Sequence, residues 1–177
     1  KLANALAKLG VNRHDRVATI AWNNSRHFET YFAVSGMGAI LHTLNPRYSP
    51  DQLIYILNHA EDEVLILDPS FIPLVESVQD KLKTVKTIII ASSKDSIPEN
   101  TLKKALSYDE LIEGESDEFD WPELNEDDAV ALCYTSGTTG NPKGVLYSHK
   151  STILHAISVS GAMGFDSSSS VLPVVPM

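Results

Sequence analysis

Short apolar segments alternate with helix-like segments along the first half of this chain, and this alternation constrains the fold most strongly. Strand-like runs occur at 16–21, 39–43, 63–67 and 86–91. Apolar residues at helical spacing predict helices before and between them, at 2–9, 25–36, 50–60 and 71–82. Strands and helices that alternate with short links are typical of βαβ units. The sequence therefore predicts an α/β fold with a mostly parallel sheet that is covered on both faces.

The clearest local signal is a helix start after Asn45-Pro46. Ser49 is suited to the N-cap position, Pro50 to the first helical position and Gln52 to the third. This order of residues predicts a capping box at the start of the third helix.

The chain divides by composition into three portions. Residues 1–91 carry the first α/β portion, and residues 129–177 carry a second, smaller one. Between them, 92–128 is acidic and contains Pro98 and Pro122, which predicts a solvated surface connection. Within it, 101–113 is expected to form one or two short helices, with Ser107 and Glu110 as a capping box. An acidic partner-binding segment is the alternative interpretation.

The composition is that of an ordinary globular protein with no general affinity for nucleic acids. Hydrophobic residues make up 43% of the chain, and the formal charge is −9. This charge argues against a nucleic-acid partner, which requires a basic face. No apolar run approaches the roughly 20 residues of a transmembrane helix, and the single cysteine fits a cytoplasmic location. The chain begins at Lys1 and ends in an apolar stretch, so we interpret it as a fragment.

A loop rich in hydroxyls and glycine follows the apolar segment 129–134, which predicts a buried strand. The loop reads Thr-Ser-Gly-Thr-Thr-Gly-Asn-Pro-Lys-Gly from Thr135 to Gly144. Successive backbone N–H groups in such a loop form a concave anion site, and Lys143 adds a mobile positive charge. The dipeptide Asn141-Pro142 favours a turn that directs Lys143 back over the loop. These features predict a phosphate-binding site at a sheet edge.

Two common phosphate-binding motifs do not fit this loop. A Walker loop requires a Gly-Lys pair, whereas Lys143 follows Pro142 and precedes Gly144. The dinucleotide fingerprint G-x-G-x-x-G does not occur. Composition alone leaves a flexible surface loop as the competing interpretation.

In its full order the loop resembles the signature loop of the AMP-binding, or adenylate-forming, superfamily. The continuation 145–149 and the stretch 172–177 resemble the same family, and 38–47 and 56–61 look most like medium- and long-chain fatty acyl-CoA synthetases. The resemblance covers essentially the whole chain. It implies that the chain is part of the large N-terminal domain of an adenylate-forming enzyme and that the C-terminal part of the enzyme is absent.

The resemblance also implies roles for individual residues. The loop would contact the β- and γ-phosphates of ATP through Thr135, Ser136, Gly137, Thr138, Thr139 and Gly140. Lys143 would be the catalytic residue that helps to bind and release pyrophosphate. Thr135 would also lie near Mg²⁺, together with a glutamate beyond Met177.

The implied reaction joins a carboxylic acid to coenzyme A at the expense of ATP. The carboxylate attacks the α-phosphorus to give an acyl adenylate and pyrophosphate, and the thiol of coenzyme A then displaces AMP. The nucleotide- and acid-binding segments that follow in the family are missing, so we expect the fragment itself to be inactive. Fatty acyl-CoA synthetases of this family can dimerise through this region, which leaves both a monomer and a homodimer open, and Arg47 would cap a turn or lie at a subunit contact.

Other chemically interesting residues are expected to be structural. The six histidines show no metal-ligand spacing, although His149 follows the return strand of the loop and is a candidate for the site. Cys133 is interpreted as an inert core thiol. Trp22 and Trp121 are expected to pack against neighbouring residues.

Several functions remain open from the sequence alone. A fatty acyl-CoA synthetase is the first interpretation, and an aryl-CoA ligase or an amino-acid adenylation domain belongs to the same class. A nucleotide-binding module without catalysis and a simple interaction domain are the alternatives from other classes.

Overall fold

The computed structural model describes residues 1–135 and 141–172, and its centre is one seven-stranded sheet. The strands are β1 Arg16–Ile20, β2 Ile40–Thr43, β3 Val64–Leu67, β4 Thr87–Ile90, β5 Ala105–Ser107, β6 Ala129–Thr135 and β7 Lys143–Ser148. Their order across the sheet is β5-β4-β3-β1-β2-β6-β7. Strands β1 to β6 are parallel, and β7 runs antiparallel to β6. The predicted α/β class with a mostly parallel sheet is confirmed.

Among the described residues, six α-helices precede, connect or follow these strands. They are α1 Leu2–Lys8, α2 Ser25–Gly36, α3 Pro50–Ala60, α4 Ile72–Val78, α5 Tyr108–Ile112 and α6 His149–Met163. Single turns of 3₁₀-helix lie at Pro69–Phe71, Gln79–Lys81 and Lys94–Ser96. The helix predicted at 71–82 is confirmed, since α4 and the 3₁₀ turns on either side of it make 69–81 helical without a break, although only seven of these residues are α-helical.

Helices cover both faces of the sheet, as the alternation predicts. Successive strand residues point to opposite faces, so Val17 packs in one core and Ala18 in the other. The first core contains α1, α2 and α5, with Leu6, Val34 and Tyr108 buried between them and the sheet. The second core contains α3 and α4 on the opposite face. The result is a three-layer arrangement with the sheet in the middle.

The capping box predicted at α3 is present. The Ser49 side chain accepts a hydrogen bond from the backbone N–H of Gln52, and the Gln52 side chain accepts one from the N–H of Ser49. Ser148 caps α6 in the same way through Ser151. Both helix starts follow from local sequence alone.

The acidic segment 92–128 is more than the surface connection that its charge suggests. Residues 105–107 form β5, which pairs with β4 and closes one edge of the sheet. One of the one or two short helices expected within 101–113 is present as α5, and Ser107 caps it by accepting from the N–H of Glu110. Tyr108 is fully buried, and its hydroxyl donates to Glu29 at 2.6 Å. Pairing with β4 and burial of this ring outweigh the local charge.

Helix α2 buries its polar face and exposes two aromatic rings. Phe28 and Phe32 are 54% and 64% exposed and contact each other edge to face. His27 and Thr30 are buried instead, because the Thr30 hydroxyl bonds the His27 carbonyl and the His27 ring bonds Thr19. Hydrogen bonds within the core therefore satisfy the Thr30 hydroxyl and His27 Nε2, whereas His27 Nδ1 is buried without a hydrogen-bond partner.

Burial lowers the pKa of His27, and this shift predicts a loss of stability in acid. The folded state holds His27 neutral, whereas the unfolded chain gains a proton below about pH 6.5. The free energy of unfolding of the full-length protein should therefore be lower at pH 5.5 than at pH 7.5, as measured by urea denaturation. His27→Gln should reduce this difference, and His155→Gln, at an exposed site, should leave it unchanged. The same difference in unfolding free energy between the two pH values in all three proteins would contradict the prediction.

Both tryptophans pack as expected although each is half-exposed. The Trp22 ring contacts Phe71, and its Nε1 donates to Ser70 at 2.9 Å. Trp121 packs against Phe119 and lies so close to Gly36 that a Cβ there would come within 2.6 Å of the ring.

Among the described residues, no helix combines the length and apolar character that crossing a bilayer requires.

Candidate functional site

The phosphate-binding loop suggested by the sequence is flanked by the hairpin strands β6 and β7. Thr135 is the last residue of β6 and Lys143 the first of β7, and the two are paired across the strands. Both residues are exposed. The two ends of the loop therefore lie side by side, with a hydroxyl opposite an ammonium group. Five other predicted site residues lie outside the described residues, namely Ser136, Gly137, Thr138, Thr139 and Gly140.

The hairpin opens at the edge of the sheet where ligands of parallel sheets bind. Because β1, β2 and β6 are parallel, their carboxyl ends lie along the same edge. Thr135 is at the carboxyl end of β6, so the loop leaves the sheet at this edge. Crevices outside the carboxyl ends of strands are the usual ligand sites of open α/β sheets.

The sequence predicts a short strand at 145–148, and the structure begins this return strand two residues earlier, at Lys143. Gly144 makes this start feasible because it packs tightly against β6. A Cβ at Gly144 would lie 3.1 Å from Leu132 Cδ1 and 3.2 Å from the Tyr134 ring. A glycine at this position can allow close backbone approach or a positive φ, and close approach is what the structure shows at Gly144.

Strand β6 is half-buried rather than buried throughout. Val130 and Leu132 face the core, whereas Cys133 is only partly covered. The Cys133 thiol lies 3.7 Å from the Thr43 hydroxyl. The expectation of a core thiol is therefore wrong, because β6 lies next to the edge strand β7 and its two faces differ in burial.

The residue before Thr135 is held by two side chains that sequence analysis did not identify. The Tyr48 hydroxyl donates to the Tyr134 carbonyl at 3.0 Å. The Tyr134 hydroxyl and His59 Nδ1 are hydrogen-bonded at 2.6 Å. Burial raises the pKa of Tyr134 to about 12 and also raises that of Tyr48, so both hydroxyls keep their protons at neutral pH.

A buried histidine–aspartate pair lies under the same tyrosine. His42 Nδ1 and Asp62 Oδ2 are 2.7 Å apart, and both side chains are fully buried. Burial raises the pKa of Asp62, although its bond to His42 opposes the shift. The His42 ring contacts the Tyr134 ring at a centroid distance of 5.2 Å.

His149 lies away from the loop. Ser148 pairs with Ala129 at the amino end of β6, and His149 begins α6 directly after it. The seven residues of β6 separate the two ends of the hairpin by about 20 Å. The hairpin register therefore does not bring His149 to Thr135 and Lys143.

The described part of the chain contains no cluster of metal ligands, and its open pocket lies away from the loop. Within residues 1–135 and 141–172, no three His, Cys, Asp or Glu side chains are grouped so that they could hold a metal ion. An open pocket of about 460 Å³ lies at the amino edge of the sheet. Two of its cations are paired, Arg16 with Glu61 and Lys86 with Glu63. Three carboxylates in its lining, those of Asp15, Glu61 and Glu63, disfavour a phosphate in this pocket.

Comparison with known proteins matches the chain over its whole length. The family model described as "AMP-binding enzyme" matches residues 1–177. The chain is 49% identical to a 3-methylmercaptopropionyl-CoA ligase of Ruegeria pomeroyi, covering 100% of the chain and 33% of the relative. It is 48% identical to a long-chain-fatty-acid–CoA ligase of Thermus thermophilus, covering 100% of the chain and 31% of the relative. The chain thus spans about a third of the length of the curated relatives it matches.

A solved structure shows the same architecture. The anthranilate CoA ligase AuaEII, crystallised in complex with anthranoyl-AMP, superposes with a TM-score of 0.80 and 29% identity. The match covers 88% of this chain and 29% of that chain.

Proposed function

Because this chain belongs to the AMP-binding enzyme family, we propose that the full-length protein activates a carboxylic acid with ATP and transfers it to coenzyme A. The observation that carries the proposal is the hairpin geometry. Thr135 and Lys143 face each other at the mouth of a glycine- and hydroxyl-rich loop, at the ligand-binding edge of a parallel sheet.

The loop is proposed to hold the β- and γ-phosphates of ATP. Thr135 contributes a hydroxyl at one end of the loop and Lys143 a positive charge at the other. The residues proposed to contact the phosphates between these two ends are Ser136, Gly137, Thr138, Thr139 and Gly140. Backbone N–H groups and hydroxyls are the donors that such a loop offers to an anion.

The proposed chemistry has two steps, and the described residues act on the first. A carboxylate oxygen of the substrate attacks the α-phosphorus, and the bond to the β-phosphate oxygen breaks to release pyrophosphate. Lys143 offsets the negative charge that develops on the departing oxygen. In the second step the thiol of coenzyme A attacks the acyl carbonyl and AMP leaves, so the enzyme needs no nucleophile of its own.

Magnesium is proposed to arrive with ATP as part of the substrate. Among the described residues at the mouth of the loop, Thr135 offers a hydroxyl oxygen as a ligand for Mg²⁺. This ion is usually bound by few protein ligands together with phosphates. The described residues alone provide no group of carboxylates for it. Thr135 is therefore proposed as a contact to the metal–phosphate complex rather than as part of a resident metal site.

A fatty acid is the proposed substrate, and its chain length is the finer question. The two curated relatives are named for a long-chain fatty acid and for 3-methylmercaptopropionate, at almost equal identity. The anthranoyl-AMP of the structural neighbour supports an adenylate intermediate and keeps an aryl acid as a competing substrate. A homodimer stays one of two open alternatives, and a cytoplasmic location stays a prediction of the sequence.

Carboxylate-dependent exchange of labelled pyrophosphate into ATP tests this proposal with the full-length protein. A panel should include acetate, 3-methylmercaptopropionate, octanoate, palmitate, benzoate and a set of amino acids. We expect exchange that requires both Mg²⁺ and a fatty acid. Binding of ATP without exchange for any acid would favour the non-catalytic module, and the absence of ATP binding would overturn the proposal.

A further inference from the structure

Tyr134 links the phosphate loop to helix α3 and to the turn that precedes it. It is the last residue before Thr135, and it is restrained from several directions. The Tyr48 hydroxyl bonds its carbonyl, His59 bonds its hydroxyl, and the His42 ring packs on its ring. Across the hairpin, Gly144 leaves room for the tyrosine because it has no Cβ.

The hydrogen bond from Tyr48 lies just beyond the point where β2 stops pairing with β6. Parallel pairing between β2 and β6 ends at Thr43 and Cys133. The Tyr134 carbonyl is one residue beyond this point, and the chain after β2 has already turned away towards α3. Tyr48 lies in that turn, so its hydroxyl supplies a donor that β2 no longer provides.

The bond from His59 fixes the other end of the tyrosine. His59 is in the last turn of α3, and its ring stacks on Tyr55 one helical turn earlier at a centroid distance of 5.2 Å. The His59 ring also meets the Tyr134 ring edge to face at 5.9 Å. Helix α3 is anchored in the second core by Leu53, Ile56 and Leu57. The His59 side chain is itself exposed, but the helix that carries it is packed, and the Tyr134 side chain is thereby connected to this helix.

We infer that Tyr48 and His59 are positioning residues of the phosphate loop, which act through Tyr134 to hold Thr135 opposite Lys143. They do not touch the nucleotide in this scheme. The inference rests on the proposed function, because it assumes that the loop binds the β- and γ-phosphates. The inference predicts that the step that uses ATP and releases pyrophosphate depends on Tyr48 and His59. The later thioester step should not depend on them.

The test compares the two half-reactions in the full-length protein. Tyr48→Phe and His59→Leu should each lower kcat/KM for ATP in adenylate formation by about 3- to 30-fold, the range expected for a lost hydrogen bond and a small misplacement. Thioester formation from synthetic acyl adenylate and coenzyme A should be unchanged, because that substrate has no β- or γ-phosphate. His59→Asn, which retains a polar atom near the position of Nδ1, should recover much of the loss.

Two control variants separate positioning from general damage. Ser77→Ala removes an exposed hydroxyl of α4 that donates to the Leu74 carbonyl of the same helix, so it should behave as the wild type. Tyr108→Phe removes a partly buried hydrogen bond far from the loop, so it should lower stability without a selective effect on ATP. A loss in Tyr48→Phe that is equal in both half-reactions would overturn the inference.

Double mutants show whether the two residues act through Tyr134 and the loop. In a Tyr134→Phe background, His59→Leu should have no further effect, because its partner hydroxyl is already gone. Tyr48→Phe combined with Lys143→Ala should lose less than the product of the single losses. Full additivity in both cycles would contradict the inference.

The outcomes also distinguish failure of the inference from failure of the proposed function. If the full-length protein shows no carboxylate-dependent exchange with any acid, the proposed function fails and the inference fails with it. If exchange occurs and Lys143→Ala slows it, while Tyr48→Phe and His59→Leu match Ser77→Ala, the inference alone fails.

Discussion

Replacing Lys143 with alanine in the full-length protein should slow carboxylate-dependent ATP–pyrophosphate exchange by about one to three orders of magnitude. The ammonium group is at the mouth of the loop, opposite Thr135, and it is exposed and able to reach a phosphate. Its removal leaves the charge on the departing pyrophosphate without this cation. The exchange rate at saturating acid, measured over a range of ATP concentrations, checks the prediction.

Two further variants make this result specific. Lys143→Arg keeps the charge but replaces a compact ammonium with a planar fork, so it should recover activity only in part. Lys103→Ala removes an exposed lysine paired with Asp80 at 2.6 Å, far along the sheet from the hairpin, and should have no effect. A Lys143→Ala enzyme as active as Lys103→Ala would remove this lysine from the mechanism.

Replacing Tyr108 with alanine should destabilise the domain by about 3–5 kcal/mol, as for other large aromatic residues of a core. The ring is fully buried in the first core although it belongs to the acidic segment. Tyr108→Phe should cost about 1–2 kcal/mol, because Glu29 loses its hydrogen-bond donor. Hydrogen exchange at the β4 and β5 amides of the full-length protein measures the local free energy of opening.

Leu106 provides the control for this prediction. It belongs to the same strand, β5, but it is partly exposed. Leu106→Ala should therefore change the opening free energy much less than Tyr108→Ala does. Equal small effects at both positions would mean that the segment is the surface connection its charge suggests.

The positions of the central strands follow from sequence because their apolar runs are short and bounded by polar residues. Strand β3 is predicted at 63–67 and observed at Val64–Leu67. Strand β5 escapes prediction because its three residues carry no periodic signal, and only pairing with β4 and the burial of Tyr108 define it. The exposed aromatic pair on α2 shows the same limit, since hydrogen bonds of His27 and Thr30 decide which face is buried.

Part of the candidate site could likewise be predicted from the sequence, and part of it could not. The order of residues in the loop indicates a phosphate site, and the hairpin that flanks it follows from the two short strand signals. The supports from Tyr48 and His59 could not be predicted, because they are 86 and 75 residues from Tyr134 and no local pattern links them. Such contacts depend on how the helices pack on the sheet.

Because β6 pairs with β2 but follows β5 along the chain, the strands of the sheet cannot all pair in the order in which they are synthesised. Thr43 and Cys133 are neighbours in the sheet but 90 residues apart along the chain. As the chain leaves the ribosome, β1 to β5 are complete before β6 appears, and the backbone groups along one side of β2 have no partner in the meantime. An unpaired strand edge of this kind promotes aggregation. The hairpin that carries the loop therefore also covers a strand edge that is open in the nascent domain.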